Sequence, residues 1–163
     1  MLILKWLLIV VTVLLAAGLG AGRLGLLHGS PPQDLGVRQG RLKPPATTPN
    51  SVSSQAALYP GQPGHTEAQI APLRYPGASD AAMARLRALV EASPGARVEQ
   101  AGPGYLYATY TTPLMQFVDD VEFWLDPAGG VIQLRSASRL GQRDLGANRA
   151  RIETLRSGFE PAP

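Results

Sequence analysis

Residues 118–136 read VDDVEFWLDPAGGVIQLRS. Val121, Phe123 and Leu125 alternate with Asp120, Glu122 and Trp124, and Ile132 and Leu134 alternate with Gln133 and Arg135. A period of two is that of a strand with one buried face. Asp126-Pro127-Ala128-Gly129 between the runs has Pro second and Gly fourth, as a type I turn favours. The turn predicts a hairpin in which Leu125 faces Gly130, Phe123 faces Ile132 and Val121 faces Leu134 on the core side. On the other side, Glu122 faces Gln133 and Asp120 faces Arg135, so that Asp120 and Arg135 are expected to pair across the strands.

Outward from this hairpin, Arg97 to Ala101 and Tyr105 to Thr112 are two more short, β-rich runs, separated by Gly102-Pro103-Gly104. Tyr105, Tyr107 and Tyr110 read as strand packing. Before them, Ser79-Asp80 is expected to cap a helix from Ala81 to Glu91, with Met83, Leu86, Leu89 and Val90 on one face and Pro94-Gly95 beyond its end. A last helix from about Leu145 to Gly158 carries a stripe of Leu145, Ile152, Leu155 and Phe159, and Asn148 falls on that stripe. Helix, four strands, helix implies an α+β domain: a four-stranded antiparallel sheet with two helices on one face.

The other end of the chain is of a different kind. Lys5 and Arg23 bracket Trp6 to Gly22, seventeen uncharged residues that as a helix span about 25 Å, near the thickness of a bilayer's hydrocarbon. Residues 1–27 therefore read as a transmembrane anchor or signal segment. Signal peptides have apolar cores of about 7–15 residues, which favours an uncleaved anchor. The amino terminus and Lys5 outweigh Arg23 and favour a cytoplasmic N-terminus, placing the domain outside. Residues 28–66 are rich in Pro, Gly, Gln, Ser and Thr and read as a spacer, with Asn50 to Leu58 as the piece that can lie ordered against the domain. Residues 67–163 are the globular domain.

Composition excludes several chemistries. The chain of 163 residues has no cysteine, so disulfide scaffolds, zinc ribbons and thiol nucleophiles are out. The net charge of +3 suggests nucleic acid until it is located: Lys5 and Arg23 flank the apolar segment, leaving 13 basic against 12 acidic residues from His28 onward. No nucleic-acid surface is expected from so small an excess.

Within the domain the charge is polarised. Asp119, Asp120, Glu122 and Asp126 precede Arg135, Arg139, Arg143, Arg149, Arg151 and Arg156. One reading is structural ion pairing, including Arg149 with Glu153 at i,i+4. The other is an anion site. Ser136-Ala137-Ser138-Arg139 leads to Asp144, the expected cap of the last helix; Arg135, Arg139, Arg143 and Arg149 supply positive charge and Ser136, Ser138 and Asn148 hydrogen bonds. Asn148, buried, is expected to tie this loop to the helix. Asp119 and Asp120 point to opposite faces and cannot form a dyad; Asp120 and Glu122 share a face and are the candidates for acid and base. No metal site or cofactor is expected. His28 and His65, the two histidines, lie in the spacer.

Residues 116–126 (QFVDDVEFWLD), 135–139 (RSASR) and 144–152 (DLGANRARI) resemble the domain-of-unknown-function 1499 family, and the likeness extends upstream through Pro49 to Ser54 and Ile70 to Tyr75. The resemblance implies an envelope or lumenal protein, often with a signal or anchor, and no established reaction. Relatives often carry cysteines just before and directly after the Pro-Asn pair, where this chain has Pro45 and Ser51, so thiol or lipid-attachment roles are absent here. Together these readings predict a module held in a bacterial inner membrane through residues 1–27, its domain periplasmic, binding an anionic small molecule or envelope partner through the Arg/Ser-rich loop. The alternatives are a hydrolase using Asp120 and Glu122 with an arginine as charge stabiliser, and a purely structural scaffold.

Overall fold

The computed structural model describes residues 1–160; the last three residues of the expected domain, 161–163, lie outside them. Helix α1 (Leu2–Arg23) comes first, followed by β1 (Ser51–Ser53), a short 3-10 turn and β2 (Leu73–Arg74). Then come α2 (Ser79–Glu91), β3 (Ala96–Gly102), β4 (Tyr105–Thr111), β5 (Val118–Asp126), β6 (Val131–Ser138) and α3 (Ala147–Phe159). The fold is α+β, as the periodicities indicate, but the sheet has six strands rather than four. Its order is β1-β6-β5-β4-β3, all antiparallel, and β2 shares the outer edge of β6 with β1. Strands as short as β1 and β2 have too few residues to show a period of two, and their pairing with β6 defines them.

Both long helices of the domain pack on one face. Leu106, Ala108, Val121, Phe123, Ile132 and Leu134 from the strands meet Met83, Leu86 and Val90 of α2 and Ile152, Leu155 and Phe159 of α3. Each Val, Leu, Ile, Met or Phe side chain of this set, removed from water, stabilises the domain by about 1.5–3 kcal/mol.

The hairpin register departs from expectation by two residues. Leu125 lies opposite Ile132, Phe123 opposite Leu134, Glu122 opposite Arg135 and Asp120 opposite Ala137. The loop is longer than a two-residue turn because Asp126 folds it around its own side chain: its carboxylate accepts from the amides of Ala128 (3.1 Å) and Gly129 (3.0 Å). Gly130, at φ 62°, then closes the loop by donating to the Asp126 carbonyl at 3.0 Å. A shift of two keeps every side chain on its predicted face, so the core is unchanged while the polar partners change.

The helix starts also differ. Ser79 and Asp80 lie inside α2, whose N-cap is Ala78 and makes no side-chain cap bond. Leu145 and Gly146 adopt left-handed backbone, at φ 53° and 84°, so α3 begins two residues later than expected and Leu145 points into solvent instead of joining the apolar stripe.

Candidate functional site

The motif residues divide between the two faces of the sheet. On the helix face, cross-strand rows place Tyr110, Asp119 and Ser138 side by side, with Ala108, Val121, Ser136 and Val52 next to them. Arg151 of α3 descends onto the first row. Its guanidinium contacts the Asp119 carboxylate at 2.5 Å, donates to Ser136 Oγ (3.1 Å) and Asn148 Oδ1 (2.7 Å), and lies 4.6 Å from the centroid of the Tyr110 ring. Asn148, fully buried, accepts from Ser136 Oγ and donates to Ser138 Oγ (3.0 Å) and to the backbone carbonyl of Asn50 (3.0 Å). Asn50 in turn donates to the Gly141 carbonyl at 2.8 Å. The network therefore joins Asn50, just before β1, to β5, β6, the following loop and α3.

Asp144 is not at the N-cap position expected of it, which Gly146 occupies, but its carboxylate still serves the start of α3, accepting from the amides of Gly146 (3.1 Å) and Asn148 (2.8 Å). Burial alone would raise its carboxyl; the two amides outweigh that and hold it below its ordinary value. Beside Arg151 a pocket of about 280 Å³ is lined by Ser93, Pro94, Tyr110, Pro113, Thr154 and others. The Tyr110 hydroxyl is buried without a hydrogen-bond partner there, and burial pushes its pKa up.

On the opposite face, residues 34–46 cross the sheet as a strap. Gly36 N donates to Glu122 Oε1 at 2.8 Å, Arg135 Nε to the Pro44 carbonyl at 2.9 Å, and Leu42 N to Gln55 Oε1 at 2.8 Å. Beneath the strap, Glu122 is fully buried; Tyr105 donates to its Oε1 at 2.8 Å while Oε2 has no partner. Burial and then the Glu122 charge raise the Tyr105 phenol. Asp120 is gripped from two sides. Arg139 reaches it with both Nε (2.9 Å) and Nη2 (2.8 Å), and Tyr107 donates to it at 2.6 Å. The carboxylate raises the pKa of Arg139, and burial followed by the Asp120 hydrogen bond pushes Tyr107 up to about 12.

The expected Asp120–Arg135 pair does not form, because the register places Arg135 opposite Glu122 and leaves Asp120 to Arg139. Burial lowers the pKa of Arg135, opposed by the nearby carboxylates of Glu122, Asp34 and Asp120. The expected Arg149–Glu153 pair is also replaced: Arg149 donates to the carbonyls of Glu67 (2.9 Å) and Gln69 (2.8 Å), and Glu153 pairs with Arg156.

Of the residues expected to hold an anion, Ser136, Ser138 and Asn148 come together on one face with Arg151. Arg135 and Arg139 are on the other, and Arg143 is exposed in the loop. Asp120 and Glu122 share a face, as the alternation requires. Sequence reasoning missed Arg151 and the Asn50 carbonyl. Arg151 was legible in part, since it sits three residues after Asn148 on the same helix face and alternation turns Asp119 toward that helix. The Asn50 contact spans 98 residues and left no local signal.

The sequence profile of the family described as "Protein of unknown function (DUF1499)" matches residues 41–159. No curated protein matches the chain, and no solved structure does.

Proposed function

The chain belongs to the DUF1499 family, a family of unknown function, and from that premise we propose that it is a membrane-tethered binding module whose folded domain faces the periplasm of a bacterial inner membrane. The observation that carries the reading is α1. Its 22 residues include an 18-residue window of mean hydropathy 2.5, none of which is buried in the domain. At about 1.5 Å per residue the helix is some 33 Å long, enough to cross the hydrocarbon. Exposed aliphatic side chains over such a length favour lipid as their surroundings.

The anionic ligand of this reading meets the protein at the 139–146 loop, where Arg143 is the exposed cation. Ser136, Ser138, Asn148, Arg139 and Arg149 support that loop and its helix from behind, through the bonds described above. A reporter enzyme that is active only in the periplasm, fused after Pro163, tests the orientation; silence with normal expression reverses it. Phosphate-soaked crystals test the anion, and the absence of density at Arg143 counts against it.

A hydrolase reading is favoured by one feature, the free Oε2 of Glu122. Asp120, held by Arg139 and Tyr107, is the weaker partner in such a pair. Glu122→Gln separates the readings: an intact fold with lost cellular function supports chemistry at this carboxylate, and an unchanged phenotype removes it.

A further inference from the structure

We propose that the end of the sheet nearest α1 is itself a membrane-contacting surface, in which Leu114, Leu140 and Leu145 enter the interfacial layer of the bilayer and Arg143 meets lipid phosphate. The inference rests on α1 being a span, as proposed above.

Outside α1 and the Met1 that precedes it, the large hydrophobic side chains exposed to solvent among the described residues are Leu24, Leu26, Leu58, Leu114, Leu140 and Leu145. Five of these six gather at one end of the molecule. Leu24 and Leu26 follow α1 directly. Leu114 lies in the loop between β4 and β5, and Leu140 and Leu145 lie in the loop after β6. The two loops are neighbours: Arg139 N donates to the Val118 carbonyl at 3.1 Å, and Thr112 N to the Phe117 carbonyl at 2.9 Å. Leu58 lies at the opposite end, sharing a groove with Pro127 of the β5–β6 turn. Scattered single leucines on a surface carry no message, but a cluster at one end does.

Depth is set by contact with the helix. Met115 packs on the glycines of the last turns of α1; a Cβ at Gly18 would stand 3.0 Å from Met115 Cε, and one at Gly22 would stand 2.5 Å from the Met115 carbonyl oxygen. Gly18 lies five residues before Arg23, about 7.5 Å along the helix. With Arg23 among the headgroups, a layer about 5–8 Å thick, Met115 reaches the edge of the hydrocarbon, and Leu114 is its neighbour in the chain. The connection is itself seated on this end of the domain: Gly29 passes so close to the 139–140 segment that a Cβ there would be 2.7 Å from Arg139 Cβ.

Leu145 adds an independent sign. It is 96% exposed and sits at φ 53°, a backbone region that disfavours a bulky residue. Strain combined with full exposure of an apolar side chain is a poor arrangement in water and a good one at a lipid boundary. The neighbouring acid, Asp144, is turned inward to cap α3 and leaves Arg143 as the charge presented beside it.

The chain has no cysteine, so single-cysteine variants of the full-length protein can be labelled without background. Leu114→Cys, Leu145→Cys, Leu58→Cys and Val13→Cys, each carrying bimane, are reconstituted into phosphatidylcholine–phosphatidylglycerol vesicles with and without nitroxide-labelled lipid. Quenching at 114 and 145 several-fold above that at 58, together with quenching at 13, is the expected result. Quenching at 13 with 114 and 145 at the level of 58 overturns the docking surface while leaving the span intact; the leucines then face solvent or a protein. No quenching at 13 removes the span and the inference with it.

Discussion

Arg151 of the last helix and Asp119 of β5, 32 residues apart, form an ion pair that is almost wholly enclosed, with 14% and 5% of their side chains exposed. Around it Ser136, Ser138 and Asn148 bond to one another and to Arg151, while the Tyr110 hydroxyl and Asn50 Oδ1 are buried without a partner, and the cluster acts as a clasp between sheet and helix. Removing Asp119 alone strands a buried guanidinium. Asp119→Ala is expected to cost about 3–5 kcal/mol, and the double variant Asp119→Val/Arg151→Met less than the two single changes combined. Urea unfolding of the detergent-solubilised chain measures both.

Asn148→Leu keeps the branched outline of the side chain and removes the amide. The Ser136 hydroxyl and Arg151 then lose an acceptor and the Ser138 hydroxyl and the Asn50 carbonyl lose a donor, at about 2–4 kcal/mol in all. Because Ser138 N is bonded to the same Asn50 carbonyl (3.0 Å), its amide exchange should accelerate more than that of Phe123 in the adjacent strand. Equal acceleration of both would indicate a global loss instead of a local opening.

The Asp144 cap makes stability depend on pH with a definite sign. Its folded pKa is depressed below 3.8, so its contribution is present above the unfolded value and is lost as pH falls through the folded one. Asp144→Ala should be less stable than the native chain by about 1 kcal/mol near neutrality. The gap should close below 3.8, the ordinary value of the carboxyl, and a gap constant across acid pH would remove the charge from the explanation.

Two glycines with nearly the same backbone angle separate strain from collision. Gly77 (φ 77°) has open space where a Cβ would go, whereas at Gly95 (φ 74°) a Cβ would stand 2.4 Å from the Thr111 carbonyl oxygen. Gly77→Ala should cost about 1 kcal/mol from backbone strain alone, and Gly95→Ala markedly more. Thermal unfolding of the pair suffices; similar losses would mean that the loop before β3 yields easily.

Tyr110→Phe deletes the buried hydroxyl that has no partner while keeping the ring under Arg151. The expected effect is neutral, or stabilising by up to about 1–2 kcal/mol. A clear loss of stability in a melting experiment would show that the hydroxyl is bonded within the fold.

Much of this architecture is legible in the chain, and the failures have specific physical causes. Alternation assigned Asp120 and Glu122 to one face and Val121 and Phe123 to the other, because side-chain direction in a strand depends only on parity. It could not tell Arg135 from Ala137 as the residue opposite Asp120, since both lie on the same face and the choice rests on how Asp126 folds its own turn. The two added strands, β1 and β2, are too short to carry a pattern and exist through their pairing with β6.

The sequence by itself determined the apolar helix at the amino terminus, the α+β composition of the domain, the faces of its central strands and the family. These follow from hydropathy and period, which are local properties of a chain. Only the tertiary structure decided that Asn148 meets Asn50, that Arg139 rather than Arg135 neutralises Asp120, and that residues 34–46 cover the polar face of the sheet. Those pairings join segments up to 98 residues apart, and they depend on loop lengths and on the mutual burial of polar groups. No window of sequence contains either.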